Sequence, residues 1–277
     1  MRKSLGLLSL CILSAAIASY VTWIQIRPNE HYLPDLRSQL VLNQGQPGDK
    51  GNLLGIQPEL FAADYQSPEH LHLKFAAYLN KARIEGLLNS KTIVVLPEHT
   101  GTWLVASGEK PEVYQAASVS DAMLWLAASN PLQLAYALLN AQGQDRLADA
   151  LFRMKAEQMA HDYQAIFGSL AKEYGVTLVA GSIVLPAPMV RNGVLQVSDG
   201  PLYNVSQVFA SDGTALGQPQ RKVVPIIDEQ GFTAASPASA LKVVDTPAGR
   251  LGVLICADSW FPENYAALAG QHVDLLA

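Results

Sequence analysis

The chain has 277 residues, of which 49% are hydrophobic and 16% charged, so it can bury a large core and is not a disordered polymer. Its length alone permits one or two domains. The formal net charge is −5, and the sequence contains no run of Lys or Arg. Phosphate binding requires a concentrated basic surface, so this composition excludes a nucleic-acid partner.

The N-terminus carries a long uncharged stretch. Arg2 and Lys3 precede residues 4–26, which are long enough to cross roughly 30 Å of hydrocarbon as a helix. One interpretation is an uncleaved membrane anchor, and the other is a signal peptide cut after the small-x-small triplet at 16–18. Apolar residues continue beyond that triplet, and Trp23 is placed like an interfacial anchor, so the pattern favours the membrane anchor.

Both interpretations predict that the rest of the chain is exported. A positive N-terminal flank stays in the cytoplasm, so the residues after Arg27 should lie on the periplasmic or extracellular side, either anchored or secreted after cleavage. Cys11 falls within the apolar stretch, which leaves Cys256 as the only thiol of the soluble part. A disulfide within the domain is therefore excluded.

Composition divides the chain into three parts. Residues 1–26 form the anchor or signal, and residues 27–51, in which Pro and Gly recur among polar residues, are typical of a linker. Residues 52–277 alternate short apolar runs with helical patterns and form the folded domain.

Within this domain the patterns predict two long helices and a series of strands. The helices are expected at 69–88 and 145–174, and Gly175 should cap the second. Tight turns are expected at 211–214 and 247–250, between paired strands. The predicted strands, rich in branched residues, are 53–57, 92–96, 176–185, 202–210, 241–246 and 251–255.

The strands at 92–96 and 251–255 do not alternate apolar with polar residues. Both of their faces should therefore be covered, which predicts an α/β fold with helices on both sides of the sheet material.

Residues 118–140 are strongly apolar and carry hardly any charge. The sequence Ser-Asn-Pro at 129–131 should break this insert into two short helices, neither of which approaches the ~20 residues of a membrane span. Packing over the core is the favoured interpretation. The alternative hypothesis is that the insert rests on a bilayer or lines an apolar substrate groove.

Three residues whose side chains could take part in catalysis lie at the end of an apolar segment or beside one. Cys256 follows the strand at 251–255 and precedes a predicted helix with Asp258 or Ser259 as its cap and Pro262 in its first turn. A strand-to-helix junction favours a thiolate and can hold an oxyanion, although an inert cysteine fits the same position. Glu98 ends another buried strand, and Lys222 lies beside an apolar segment near turns. Taken alone, each could be an ordinary edge or surface residue.

The combination resembles the nitrilase superfamily of carbon-nitrogen hydrolases. The matching motifs occur in the family's order over about residues 52–277, and the separation of Glu98 from Lys222 is longer than the family's by about the length of the insert. The motifs are VVLPE at 94–98, VAGS at 179–182, YN at 203–204, RK at 221–222, GVLICAD at 252–258 and FPE at 261–263.

The resemblance implies a four-layer αββα sandwich and a set of roles. Glu98 would be the general base, Lys222 would stabilise the tetrahedral oxyanion, and Cys256 would form a thioester with the acyl part of an amide. The backbone N–H of Ala257 would be a second oxyanion donor, and Glu229, with Asp228 as competitor, would be the supporting acid that some members place after the lysine.

The leading prediction is hydrolysis of a non-peptide amide, with a small-molecule or acyl amide as substrate. One alternative is N-acyltransfer through the same thioester, as in the apolipoprotein N-acyltransferase branch, whose members have several transmembrane helices where this chain has one. The other is an inactive, membrane-tethered binding protein. The resemblance also suggests a homodimer, which no local feature supports.

Two further expectations concern cofactors and chain length. The six histidines form no HExxH motif and have no paired cysteines, so neither a metal nor any other cofactor is predicted. The His-x-His at 70–72 is expected to be a solvated helix start. The chain ends at Ala277, soon after Cys256, where family members continue through further strands and helices, and a C-terminal truncation of the domain is therefore expected.

Overall fold

The computed structural model describes residues 2–27, 32–46 and 48–277. His31 and parts of the predicted linker, residues 28–31 and Pro47, lie outside the described residues. The α-helices are α1 (Arg2–Gln25), α2 (Pro68–Ile84), α3 (Pro111–Tyr114), α4 (Val119–Ser129), α5 (Pro131–Asn140), α6 (Arg146–Tyr174) and α7 (Pro262–Ala269). The strands are β1 (Asn52–Gly55), β2 (Thr92–Val95), β3 (Thr177–Pro186), β4 (Met189–Arg191), β5 (Val194–Gln196), β6 (Leu202–Phe209), β7 (Ala215–Arg221), β8 (Val243–Thr246), β9 (Gly249–Gly252) and β10 (Leu275–Leu276).

Most of these strands belong to two sheets. The larger sheet has the order β1-β2-β3-β6-β7, in which β1, β2 and β3 run parallel and β6 and β7 pair antiparallel. The smaller sheet has the order β10-β9-β8. Strands β4 and β5 form a separate hairpin. Parallel pairing of β2 with β1 and β3 brings the carboxyl ends of these strands to one edge of the larger sheet.

Alternation along the strands of the larger sheet gives it two different apolar faces. Val94 and Leu178 belong to the main core, together with side chains of α2 and α6. The residues that precede or follow them, Ile93 and Val179, pack instead with Leu251 of the smaller sheet. Leu268 of α7 lies against Gly252 of β9. The layers therefore follow the order helix, sheet, sheet, helix.

The long helix α6 is bounded by the residues that the sequence predicted. The Asp145 side chain accepts a hydrogen bond from the Ala148 N–H at 3.0 Å, which satisfies one free donor of the first turn. Gly175 ends the helix with a left-handed φ of 64°. The predicted span of 145–174 is confirmed. It could be predicted because each end of the helix has its own local sequence signal.

The insert forms two short helices that meet at Asn130, as predicted, and α4 and α5 are bent by 106° relative to each other. Leu126 and Ala137 face the core. The opposite side of the insert leaves large apolar side chains in solvent, so packing over the core accounts for one face only. These exposed residues include Leu124, Leu132, Tyr136 and Leu139.

Within the described residues, the segment Gly6–Gln25 of α1 is long and apolar enough to cross a membrane, and α4 with α5 would pass the same test as one bent pair. The far end of α1 contacts the insert. The Tyr20 hydroxyl donates to the Ala128 carbonyl at 2.6 Å, and the Trp23 ring lies 6.1 Å from that of Trp125.

Several boundaries predicted from the sequence are wrong. Helix α2 ends at Ile84 because Gly86 adopts a positive φ of 70°. Strand β9 ends at Gly252, three residues early, and the chain then turns towards Cys256. The sequence patterns did not predict the hairpin β4-β5 or strand β7. β7 contains Gly217 and Pro219 and few apolar residues, and Pro is tolerated there because β7 is an edge strand.

Candidate active site

Glu98 lies in a tight loop that follows β2. The His99 N–H donates to the Ser182 hydroxyl at 2.8 Å, and the Gly101 N–H donates to the Ser182 carbonyl at 2.8 Å, so β3 holds the loop. Gly181 has a φ of 68°, and a Cβ there would lie 2.2 Å from the Pro97 carbonyl oxygen. Only glycine permits this approach, which explains the Gly-Ser pair in the motif at 179–182.

Lys222 follows β7 and is 1% exposed. Its backbone N–H donates to the Asn204 carbonyl at 2.8 Å, which continues the pairing of β7 with β6 for one more residue. Its ammonium donates to Glu98 Oε1 at 2.6 Å and to Glu229 Oε2 at 2.5 Å. A buried ammonium with two carboxylate partners is held in one position, because leaving it unpaired would cost several kcal/mol.

Glu229 is the acid that reaches the lysine, and Asp228 is exposed and does not. The Glu229 side chain accepts hydrogen bonds from the Ile226 N–H at 3.1 Å and from the Asn204 amide at 2.7 Å. It is 3% exposed. Of the two candidates that the sequence left open, the structure therefore places Glu229 beside Lys222.

Cys256 begins a 3-10 turn, Cys256–Trp260, directly after the segment that leaves β9. Its φ is 47°, a left-handed conformation that is uncommon for a residue with a side chain. Its thiol lies close enough to the Glu98 carboxylate and to the backbone N–H of Ala257 for both groups to influence its pKa. Residues held in such sparsely populated conformations cluster at functional sites, because the surrounding structure must hold them there.

Asp258 fixes the position of this turn, and the prediction that it or Ser259 caps the following helix is wrong. Helix α7 starts at Pro262 with Phe261 as its N-cap and no side-chain cap. The fully buried Asp258 carboxylate instead accepts the N–H groups of Val223 at 3.0 Å, Val224 at 2.8 Å and Ile255 at 3.2 Å. One side chain thus ties the segment after Lys222 to the segment before Cys256.

The ionisation of the site follows from these contacts. Burial, followed by the hydrogen bond and charge of Glu98, raises the pKa of the Cys256 thiol, so the thiol is protonated at neutral pH. For Glu229, burial alone would raise the pKa, but hydrogen bonds from His99 and Lys222 outweigh it and lower the pKa to about 2. For Lys222, burial is likewise outweighed by its two carboxylate partners, which raise its pKa.

Two residues of the site carried little or no weight in the sequence. Asn204, noted only as part of a motif, bridges the two acids through one amide nitrogen, at 2.9 Å from Glu98 Oε1 and 2.7 Å from Glu229 Oε1. His99 also enters the site, because its Nε2 lies 3.2 Å from Glu229 Oε1. A φ of 61° at His99 turns the ring inward, and no local pattern signals that.

Among the described residues, Glu98, His99 and Glu229 place ligand atoms within 4.8 Å of one another, a spacing that a metal ion could accept. Lys222 already donates to both of these carboxylates. A cation at this position would therefore have to displace a buried ammonium from its two partners. The donor set is better matched to the lysine than to a metal.

An apolar cavity of about 490 Å³ begins at this site. Glu98 and His99 line it, together with Met123 and Leu126 of α4. The insert predicted from its apolar composition is thus part of the surroundings of Glu98. The volume of the cavity falls within the range of about 300–1,000 Å³ that is common for small-molecule sites.

Comparison with known proteins relates part of this chain to a known family. Residues 144–277 match the family model described as carbon-nitrogen hydrolase. The matched range contains Lys222, Glu229 and Cys256, whereas Glu98 precedes it.

Two curated relatives illustrate the similarity. Omega-amidase NIT2-A of Xenopus laevis is 31% identical over 127 residues, which are 44% of this chain and 42% of that protein. The probable hydrolase YhcX of Bacillus subtilis (strain 168) is 28% identical over 106 residues, 38% of this chain and 18% of that protein. The chain thus matches less than half the length of these relatives.

Solved structures that resemble this chain include Saccharomyces cerevisiae Nit3, a member of branch 10 of the nitrilase superfamily. It has 19% sequence identity and a TM-score of 0.43, and the alignment covers 81% of this chain and 60% of Nit3. An amidase from Nesterenkonia sp. has 16% identity and a TM-score of 0.47, over 83% of this chain and 65% of the amidase. The family match identifies residues 144–277 as carbon-nitrogen hydrolase sequence.

Proposed function

We propose that this protein hydrolyses a linear, non-peptide amide through a thioester on Cys256. The observation that carries the proposal is the position of Glu98, which accepts a hydrogen bond from the Lys222 ammonium at 2.6 Å and is near enough to the Cys256 thiol to raise its pKa. Amide cleavage requires a nucleophile, a group that moves protons and a positive charge at the carbonyl oxygen. These three residues supply one each.

In the first half of the reaction, Glu98 takes the thiol proton as the Cys256 sulfur bonds to the amide carbon. The carbonyl oxygen becomes an oxyanion, which the Lys222 ammonium and the Ala257 N–H stabilise. The C–N bond then breaks, Glu98 returns the proton to the nitrogen, and the amine leaves. The acyl group remains on sulfur as a thioester. The raised pKa keeps the Cys256 thiol protonated at neutral pH, so a base must take its proton as the sulfur attacks.

In the second half, Glu98 takes a proton from water as the water oxygen bonds to the thioester carbon. The same two donors hold the new oxyanion. The C–S bond breaks, the sulfur regains a proton, and a carboxylic acid is released. Because the acid and the base are the same carboxylate, Glu98 must stay close to both sulfur and substrate, which its contacts with Lys222 and Asn204 ensure.

Glu229 and Asn204 support this arrangement without a direct role in the bonds that change. Glu229 is ionised at neutral pH and stabilises the charged form of Lys222. Asn204 donates to both acids and holds them near the ammonium. We therefore assign to these two residues the positioning of Lys222 and Glu98.

The proposal is tested with a panel of linear amides and the full chain in detergent. Cys256→Ala should abolish ammonia or amine release, and incubation of the wild type should give an acyl adduct on Cys256 in peptide mass spectrometry. Cys11→Ala is the matched control, because it removes the other thiol from α1 and should leave turnover unchanged. Equal turnover by wild type and Cys256→Ala would refute the thioester mechanism.

We also propose that α1 anchors the domain to a membrane, with the site on the periplasmic or extracellular side. Support comes from the exposed apolar segment Gly6–Gln25 and from Arg2 and Lys3 before it. Intact mass of the protein purified from membranes tests the anchor, since cleavage after Ala18 would give a chain that starts at Ser19. Protease protection in spheroplasts tests the side, and a domain that resists external protease would contradict the orientation.

A further inference from the structure

We propose that the apolar cavity beside Glu98 binds the acyl chain of the substrate, so that the preferred substrates are amides of medium- or long-chain fatty acids. The inference rests on the proposed function, because it takes the carbonyl group of the amide to lie between Cys256 and Lys222.

The lining of the cavity is complementary to a hydrocarbon chain. Among the described residues, Glu98 is the one Asp, Glu, Lys or Arg that lines it, and no Lys or Arg of this part of the chain lines the walls to pair with a carboxylate on the substrate. The apolar lining includes Leu60, Phe61, Val105, Val113, Met123 and Leu126.

The insert builds one wall of this cavity with one face of a helix. Val119, Ala122, Met123 and Leu126 of α4 all line it, and their spacing of three and four residues places them on one side of the helix. Leu124 of the same helix is 59% exposed and is not part of the lining. One apolar face of α4 thus lines the cavity, and the other faces solvent or a membrane.

The end of α1 lies against the helix that forms one wall of this cavity. Trp23 of α1 contacts Trp125 of α4, and the Lys110 ammonium lies 4.3 Å from the Trp23 ring, so the end of α1 is fixed to the wall of the cavity. With α1 in a membrane, this wall stands at the bilayer surface, where amides with long acyl chains accumulate.

The proposal gives the two halves of the substrate different surroundings. The acyl chain would lie in the cavity that Glu98 and His99 line, whereas Cys256 is exposed and is not one of the lining residues. The amine would then depart towards solvent. A chain attached to the nitrogen instead of the carbonyl carbon would not reach the cavity.

Binding by the full-length Cys256→Ala protein in lipid nanodiscs tests the inference. Linear primary amides from butyramide to decanamide are titrated by calorimetry, with empty nanodiscs as a blank for partitioning. Affinity should rise by about fourfold per added methylene, the equivalent of about 0.8 kcal/mol, until the cavity is full. Octanamide should bind at least about tenfold more tightly than its isomer N-hexylacetamide, which partitions similarly but carries its chain on nitrogen.

Substitution inside the cavity gives a second test. Ala122→Phe places a ring in the cavity and should abolish the gain for octanamide over butyramide, whereas Leu124→Phe adds the same ring on the exposed face and should retain the gain. Affinity that is independent of chain length, or equal for the two isomers, would overturn the acyl site. So would an unchanged preference in Ala122→Phe protein with a wild-type unfolding transition.

Turnover by the wild type separates this inference from the proposed function. Chain-length-dependent binding without any Cys256-dependent cleavage would leave the acyl site standing and refute amide hydrolysis. Cleavage of short amides without chain-length-dependent binding would support hydrolysis and refute the acyl site.

Discussion

Glu98 Oε1 lies 2.6 Å from Lys222 Nζ although the two residues are 124 positions apart in the chain. The contact joins the loop after β2 to the end of β7, two strands that are not neighbours in the sheet. It also leaves Glu98 in contact with the Cys256 thiol. The proposed chemistry depends on this one carboxylate reaching both partners at once.

The first prediction is that loss of the Glu98 charge changes thiol reactivity and turnover in opposite directions. After burial, the hydrogen bond and charge of Glu98 are the main causes that raise the pKa of Cys256. Glu98→Gln should therefore lower that pKa, so that iodoacetamide alkylates Cys256 faster at pH 8 than in the wild type. Turnover should fall by at least about 10²-fold, because the proton acceptor is gone.

The control for this variant is Glu263→Gln, which removes an acid from the first turn of α7, close to Cys256 in sequence. It should change neither the alkylation profile nor turnover. Identical pH profiles of alkylation in Glu98→Gln and wild-type protein would show that the carboxylate does not act on the thiol.

The second prediction concerns stability and pH at Glu229. Its folded pKa of about 2 is below the ordinary value of 4.5, so its contribution to stability is full above pH 4.5 and is lost as the pH falls towards 2. The shift corresponds to roughly 3 kcal/mol at pH 7. Glu229→Gln should therefore be less stable than the wild type at pH 7, and the difference should shrink between pH 4.5 and 2.

Urea unfolding at a series of pH values measures this difference, and Asp228→Asn, at the exposed neighbouring position, is the control. A stability deficit in Glu229→Gln that is the same at pH 3 and pH 7 would contradict the role of the ionised side chain.

A third prediction compares two glycines with nearly equal left-handed φ values. Gly175 and Gly181 have φ of 64° and 68°, but a Cβ at Gly175 meets no atom within 4 Å, whereas one at Gly181 would lie 2.2 Å from the Pro97 carbonyl. Gly175→Ala should cost about 1–2 kcal/mol of unfolding free energy for the conformation alone. Gly181→Ala should cost more and should also reduce turnover, because it displaces the loop of Glu98.

Chemical denaturation and amide turnover on both variants check this comparison. If the two substitutions cost the same and both leave turnover intact, the close approach of Pro97 to Gly181 does not position Glu98.

The fourth prediction tests Asp258 as a positioning residue. Asp258→Ala would leave the N–H groups of Val223, Val224 and Ile255, the last of them buried, without their acceptor, at a cost of about 3 kcal/mol. It should lower kcat more than it raises KM, because the residue orients Lys222 and Cys256 and does not touch the substrate. Asp258→Asn should recover part of both losses through its remaining carbonyl oxygen.

Thermal unfolding and steady-state kinetics of the two variants measure these effects. An Asp258→Asn protein that is as impaired in kcat as Asp258→Ala, at recovered stability, would mean that the carboxylate charge itself acts in the reaction.

The sequence predicted the parts of the fold whose signals are local. Helix α6 was found with its ends, because its apolar spacing and both caps lie within the segment itself. The break of the insert at Asn130 was found because proline disrupts a helix wherever it stands. Strand β7 was missed, because a Gly- and Pro-containing strand is recognisable only by its neighbour, β6.

The candidate site shows the same division. Residue types and their order along the chain were sufficient to single out Glu98, Lys222 and Cys256 and to suggest the family. The choice of Glu229 over Asp228, the inward turn of His99 and the bridge made by Asn204 came from the tertiary structure alone. Local sequence fixes backbone preference and apolar period, whereas contacts between distant segments depend on the packing of two sheets and on the left-handed residues that turn each loop inward.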